Sequence, residues 1–206
     1  MKLSRVQSHS AIKELKKTLR LEALRCRDAL PVDYRNSASQ QIATHGLSAI
    51  VPKPGEIVSG FWPIRSEVDL RPLLYALRDL GARLCLPVII DKQTIIFREL
   101  VGDIPMIETG FGTSGPPEDA PVIEPSLMLV PLAAFDERGH RIGYGAGYYD
   151  RAIARLHAMG TEPHLVGVAF DCQKVETVPD EPHDVPLSAV LTESGLRRFR
   201  HIAKSS

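Results

Sequence analysis

The chain has no excess charge of either sign: its 25 Lys and Arg residues are matched by 25 Asp and Glu, giving a formal net charge of zero. A broad basic face for nucleic acid is therefore not expected, although the balance leaves room for a local basic cluster. Cysteine is scarce as well. Cys26, Cys85 and Cys172 lie far apart and form no CxxC pair, which fits a reducing compartment in which buried thiols serve as small apolar groups. No apolar run approaches the roughly 18 residues of a membrane span. The basic stretch 1–20 has neither an apolar signal core nor a small-residue cleavage site. A cytoplasmic protein with no membrane partner is the expectation. Repeats, low-complexity tracts and clear linkers are missing too, so one domain over residues 1–206 is expected, as monomer or homodimer. The hydrophobic fraction of 44% against 24% charged is enough for an ordinary globular core.

What is present reads as alternating elements. Over 10–30 the apolar residues Ile12, Leu15, Leu19, Ala23 and Leu30 recur at helical spacing, with Ser10 as N-cap, Pro31 as stop, and Lys13, Lys16, Arg20, Arg25 and Arg27 on a solvated face. A second helix is predicted over 32–50. Strands are predicted over 56–62, 82–90 and 94–100, with a helix over 69–80 capped by Asp69 and ended by Gly81. The Gly- and Pro-rich stretch 101–125 reads as a long irregular loop. The continuous apolar run 127–135 predicts a strand buried on both faces. A turn over 136–139, a helix over 148–159, a buried strand over 164–170 and a short strand over 189–192 complete the pattern. Such alternation predicts an α/β fold, a three-layer α/β/α sandwich around a mainly parallel sheet, with ligands at the carboxyl ends of its strands.

The run that carries chemistry is Arg141-Ile142-Gly143-Tyr144-Gly145-Ala146-Gly147-Tyr148-Tyr149-Asp150-Arg151. Alternate glycines between a buried strand and a helix let backbone amides approach a ligand with no Cβ in the way. The helix that follows offers free N–H groups and partial positive charge to an anion. Arg141 and Arg151 flank the loop and suit phosphate oxygens. Asp150, in the first helical turn, either caps the helix or holds a magnesium ion beside bound phosphates. The pattern is neither a P-loop nor a dinucleotide fingerprint. Taken alone, its glycines serve a phosphate site and a tight structural turn equally well.

The wider context resembles one family. Residues 130–151, with Val130-Pro131 ahead of Asp136-Glu137-Arg138-Gly139 and the glycine run, are similar to the signature of the 5-formyltetrahydrofolate cyclo-ligases, also called methenyltetrahydrofolate synthetases. Lys16-Lys17-Thr18-Leu19-Arg20 resembles that family's Lys-x-x-Leu-Arg element. Pro63 through Glu67-Val68-Asp69, preceded by Phe61-Trp62, resembles its Pro-x-x-x-Glu-Val-Asp segment. Gly167-Val168-Ala169-Phe170 with Gln173, and Pro179 through His183-Asp184, resemble its closing elements. The blocks fall in family order over nearly the whole chain.

The resemblance implies an enzyme that uses ATP, with Mg²⁺ as cofactor, to turn 5-formyltetrahydrofolate into 5,10-methenyltetrahydrofolate, releasing ADP and phosphate. It places Lys16, Lys17, Thr18, Leu19 and Arg20 around ATP, together with Arg141, Ile142, Gly143, Tyr144, Gly145, Ala146, Gly147, Tyr148 and Tyr149. Arg20, Trp62, Glu67 and Phe111, with Tyr144 through Tyr148, would contact the reduced folate. Asp150 and Asp184 match magnesium positions, and Asp150 and Arg151 are the implied catalytic pair. Ala146 stands where the family usually has glycine or lysine, which removes a phosphate contact that a lysine would make. A non-catalytic folate- or nucleotide-binding protein on the same fold is the alternative. A sugar-phosphate isomerase or acyl-CoA transferase on a similar scaffold is the other, and ATP dependence separates both from the ligase.

Overall fold

The computed structural model describes residues 2–102, 106–110, 113–181 and 184–199. Its centre is β6, Leu127–Pro131, the predicted apolar run. On β6, Leu127 and Leu129 face one core cluster while Met128 and Val130 face another, as the two-residue period of a strand buried on both sides requires. Strand β1 (Ile57–Ser59) pairs with it on one side and β9 (His164–Val168) on the other, both parallel. Beyond β1 lie β2 (Arg83–Ile89), parallel, and β3 (Ile95–Glu99), antiparallel. Beyond β9 lie β10 (Ala189–Thr192), parallel, and β11 (Gly195–Arg198), antiparallel. The seven-stranded order is therefore β11-β10-β9-β6-β1-β2-β3. Chain direction across the sheet reverses between β1 and β6, and a crevice opens at such a point beyond the carboxyl ends of the strands.

Helices cover both faces, giving the three layers expected. Helix α2 (Val32–Ala49) and α3 (Arg71–Asp79) bury Ile42, Leu73, Leu74 and Leu77 on one side. Helix α4 (Tyr148–Ala158) buries Ala152, Ile153 and Leu156 on the other. Helix α1 (Lys2–Asp28) joins neither layer. It lies across the carboxyl end of the sheet, against β7 (Ala134–Phe135) and the 3-10 turn Asp171–Gln173.

Several boundaries differ from the sequence reading, each for a local reason. Ser10 is not an N-cap, because residues 2–9 contain no glycine or proline and α1 begins at Lys2. Asp69 stands one residue ahead of the N-cap of α3, yet its Oδ1 accepts the Arg71 N–H at 3.2 Å. Leu70 holds that position ahead of Pro72, and Asp69 grips the Arg71 guanidinium at 2.7 Å through both oxygens. Strand β1 ends at Ser59, although the Gly60 N–H still donates to the Cys85 carbonyl at 3.0 Å, and α3 leaves no room for a side chain there: a Cβ at Gly60 would stand 2.5 Å from Leu74 Cδ2. Phe61 and Trp62 follow in the wall of the crevice. The run 127–135 is two strands, since the carboxamide of Gln173 takes up the carbonyls of Leu132 and Ala133 at 2.8 and 3.0 Å. The stretch 101–125, read as irregular, carries a small hairpin of β4 (Ile107–Gly110) and β5 (Thr113–Gly115). Strand β8 (Arg141–Ile142), paired with β7, and β11 were not anticipated.

Candidate active site

The crevice at the switch point divides into two clefts. The first encloses about 180 Å³ and takes its walls from the strand ends: Phe61 and Trp62 after β1, Pro87 and Ile89 of β2, Ile95 of β3 and Pro131 of β6. Glu67 and Tyr149 bring polar atoms into these apolar walls. The second cleft, about 200 Å³, is polar and is built from Lys16 and Arg20 of α1, His140, Arg141 and the glycine loop, with Asp150 and Asp184. Gly143, Gly147, Arg141 and Asp150 line both. The glycine loop is thus the partition between an apolar and a polar space.

Two of the three glycines are imposed by backbone geometry. Gly145 and Gly147 have φ of 100° and 68°, the left-handed region that disfavours side chains. Gly147 ends the loop and leads directly into α4, and a Cβ on it would meet Arg151 Nη1 at 2.7 Å. Gly143 is different. It lies outside that region and a Cβ there would point into open space.

Arginines fasten the loop from three sides. Arg20 Nε donates to the Gly143 carbonyl at 2.7 Å. Arg151 Nε donates to the Gln93 carbonyl at 2.6 Å, its Nη2 to the Ala146 carbonyl at 2.8 Å, and its guanidinium lies over the Tyr148 ring. Arg141, nearly buried, donates to Asp150 Oδ1 at 2.5 Å and to the Val185 carbonyl. The partition therefore carries a charge-assisted pair whose guanidinium and carboxylate both border the clefts.

The polar cleft is set by α1. Lys16 and Arg20, one turn apart, both enter it, whereas Lys17 and Thr18 face solvent and Leu19 packs against the cluster of Ala134 and Ile142. Lys16 Nζ contacts Asp184 Oδ2 at 2.7 Å and Glu181 Oε2 at 3.2 Å. Burial works against its charge, but the hydrogen bonds and charges of these two acids outweigh it and hold the ammonium pKa above the usual lysine value.

In the apolar cleft, Glu67 follows a turn in which Arg65 adopts a left-handed φ of 54°, and its Oε2 accepts the Ile64 N–H at 2.9 Å. Its Oε1 accepts the Tyr144 hydroxyl, which also accepts a 2.6 Å hydrogen bond from Arg27 Nη1. Burial raises the Glu67 pKa, against the opposing pull of Tyr144, Ile64 and the Arg27 and Arg65 charges. Tyr144, Ala146, Tyr148 and Tyr149 all line this cleft and not the polar one. Arg151 lines neither. Phe111 and His183 lie outside the described residues.

Sequence reasoning missed Arg27, which it read as a solvated face. The side chain is buried and also donates to Ser66 Oγ at 3.0 Å. The signal was available: Lys16, Arg20 and Arg27 fall on one stripe of a helix, at spacings of four and seven. It also missed Glu181, His140 and Gln93, which carry no local pattern.

Asp150 and Asp184 share the polar cleft, but among the described residues no three His, Cys, Asp or Glu side chains converge to hold a metal ion alone. Such a donor set fits a hard ion completed by phosphate oxygens and water. Among the described residues, no helix is long and apolar enough to cross a membrane.

Comparison with known proteins gives one answer. The model of the 5-formyltetrahydrofolate cyclo-ligase family matches residues 12–193. The 5-formyltetrahydrofolate cyclo-ligase of Haemophilus influenzae is 30% identical over 179 residues, covering 84% of this chain and 95% of its own. That of Escherichia coli K12 is 32% identical over 174 residues, covering 82% and 94%. The NMR structure of the 5,10-methenyltetrahydrofolate synthetase of Aquifex aeolicus matches with a TM-score of 0.76 at 28% identity, over 93% of this chain and 96% of that one. With a divided crevice at the switch point, the glycine partition within the matched span and relatives matched over nearly their full length, this chain belongs to the 5-formyltetrahydrofolate cyclo-ligase family.

Proposed function

We propose that the chain closes the ring of 5-formyltetrahydrofolate to give 5,10-methenyltetrahydrofolate at the expense of ATP, working as a single unit over its length. The reading rests on family membership and on one feature of the site: an apolar and a polar cleft separated only by a glycine loop. The reaction needs that division. A formyl oxygen is a poor leaving group until it is phosphorylated, so a flat pterin and a triphosphate must meet end to end with water kept out.

In this reading the pterin occupies the apolar cleft, with Trp62 and Phe61 against its ring and Glu67 accepting its N–H groups. ATP occupies the polar cleft, where Lys16 and Arg20 receive phosphate oxygens. The formyl oxygen attacks the γ-phosphorus beside Gly143 and Gly147, and ADP leaves. The neighbouring folate nitrogen then attacks the activated formyl carbon, phosphate departs and the nitrogen's proton is released. No side chain forms a covalent bond, so the protein's task is alignment and neutralisation of charge. Arg141, on the partition, stabilises charge on the transferring group, while Arg151 fixes the loop rather than touching substrate. Asp150 and Asp184 would hold magnesium together with phosphate oxygens; bound there, the ion offsets phosphate charge.

The test is the absorbance rise of the methenyl product when purified protein meets 5-formyltetrahydrofolate, magnesium and ATP, with ATP omitted as control. An ATP-dependent rise establishes the reaction. Binding of both ligands without a rise would leave only the non-catalytic binder.

A further inference from the structure

The hydroxyl of Tyr149 is out of place unless something joins it. Tyr149 stands in the first turn of α4, its ring packed on the core that α4 shares with the sheet, and its Oη is buried in the wall of the apolar cleft. Among the described residues that oxygen has no hydrogen-bond partner. Its neighbours explain the isolation. Tyr144 is engaged with Glu67 and Arg27, and Arg141 is engaged with Asp150 and Val185. A phenol that is desolvated and unpaired destabilises the fold, and phenylalanine would fill the same space without that penalty. A hydroxyl kept under these conditions inside a ligand cleft is a donor waiting for an acceptor.

The chemistry of the cleft identifies the acceptor. Glu67 is an acceptor, suited to the N–H pair on one edge of a pterin. The next group along that edge is the ring carbonyl, which needs a donor. Glu67 and Tyr149 line the same cleft, so one ligand can meet both. Resting on the reading that the apolar cleft takes the reduced folate, we propose that Tyr149 is a folate-binding residue, not a nucleotide-binding one, and that its hydroxyl donates to the pterin carbonyl beside the N–H groups taken by Glu67. Donor and acceptor together read the pterin edge and fix which face of the ring meets the glycine partition. A ring flipped in the cleft would set carbonyl against carboxylate and leave the Tyr149 hydroxyl unpaired.

Tyr149→Phe tests this because its two readouts move in opposite senses. The thermal midpoint of the ligand-free protein stays level or rises by about 2–4 °C, as removal of an unpaired buried hydroxyl requires. Affinity for 5-formyltetrahydrofolate, followed without ATP by the fluorescence of Trp62, the chain's one tryptophan, falls about 3- to 10-fold. ATP affinity is unchanged. The counterpart of the folate that lacks the ring carbonyl binds wild type more weakly by a similar factor and binds Tyr149→Phe with no further loss. Equal folate affinity in variant and wild type, a loss confined to ATP, or additive losses in the carbonyl-free series would each overturn the assignment. Failure of wild type itself to bind 5-formyltetrahydrofolate would instead remove the folate reading on which it stands.

Discussion

Gly143 and Gly147 lie four residues apart in one loop, and alanine at the two positions should have opposite consequences. At Gly143 a Cβ meets nothing within 4 Å and φ is not left-handed. Alanine there restricts the unfolded chain without straining the fold, which stabilises by about 0.4–1 kcal/mol. For a chain of 206 residues that is a rise of about 1–4 °C in thermal midpoint. At Gly147 the left-handed φ of 68° costs an alanine about 1–2 kcal/mol. Its Cβ also displaces Arg151 Nη1 from 2.7 Å. Swinging that guanidinium away weakens two exposed hydrogen bonds, to Gln93 and Ala146, adding roughly 1–2 kcal/mol after discounting for solvent. Gly147→Ala should therefore lower the midpoint by about 4–16 °C. Catalysis should discriminate differently. Gly143 borders both clefts, so a methyl group there intrudes where the ligands approach and kcat/KM should fall at least about 10-fold in a protein that is no less stable. Calorimetry and the methenyl absorbance assay measure the two effects. A Gly143→Ala variant that is destabilised, or that keeps full activity, would refute the assignment of this glycine to the ligands.

Lys16→Ala should weaken apparent ATP affinity about 10-fold, because Glu181 and Asp184 then face phosphate without the ammonium between them, while folate affinity holds; an effect on folate alone would put α1 on the wrong ligand. Asp150→Asn should lower turnover about 100-fold or more and raise the magnesium concentration needed for half activity; an unchanged magnesium dependence would reduce Asp150 to a support for Arg141. Burial raises the Glu67 pKa, so its contribution to stability is complete below the unfolded value of 4.5 and is lost as pH rises through the folded value. Glu67→Gln does not titrate and should gain in thermal midpoint relative to wild type as pH rises from that region toward neutrality; a gap that stays constant with pH would show that burial does not tax this carboxylate.

Much of the scaffold was legible because it depends on local pattern. The run Leu127-Met128-Leu129-Val130 is apolar on both faces and became the central strand. Leu73, Leu74 and Leu77 mark one face of α3 and all three are buried. By contrast, Gly195-Leu196-Arg197-Arg198 has no apolar alternation, and it forms β11 only because the sheet edge beside β10 is open to it. The site was legible to the extent that glycine marks backbone approach. Its division was not. Whether Tyr144 turns toward phosphate or toward Glu67 is decided by Arg27, 117 residues away, and no local rule reaches that far. Arg27 itself looked like surface because charge usually is surface. Only the shared stripe with Lys16 and Arg20 set it apart.

That stripe gives α1 a role beyond support. Arg20 and Arg27 are separated by seven residues, which in a helix is about 10.5 Å along the axis. Arg20 holds the Gly143 carbonyl on the polar side of the partition; Arg27 holds the Tyr144 hydroxyl that in turn holds Glu67. One rigid rod thus fixes the partition and the carboxylate of the apolar cleft relative to each other. In the proposed reaction, where two bound molecules must meet at a set distance, such an element matters because errors of about 1 Å in placement cost about 100-fold. It also explains why α1 stands outside both helical layers. A helix packed on a sheet face, such as α4, meets the strand ends only with its first turn, whereas α1, laid across those ends, enters the polar cleft with Lys16 and Arg20 and reaches the apolar one through the Tyr144 hydroxyl held by Arg27.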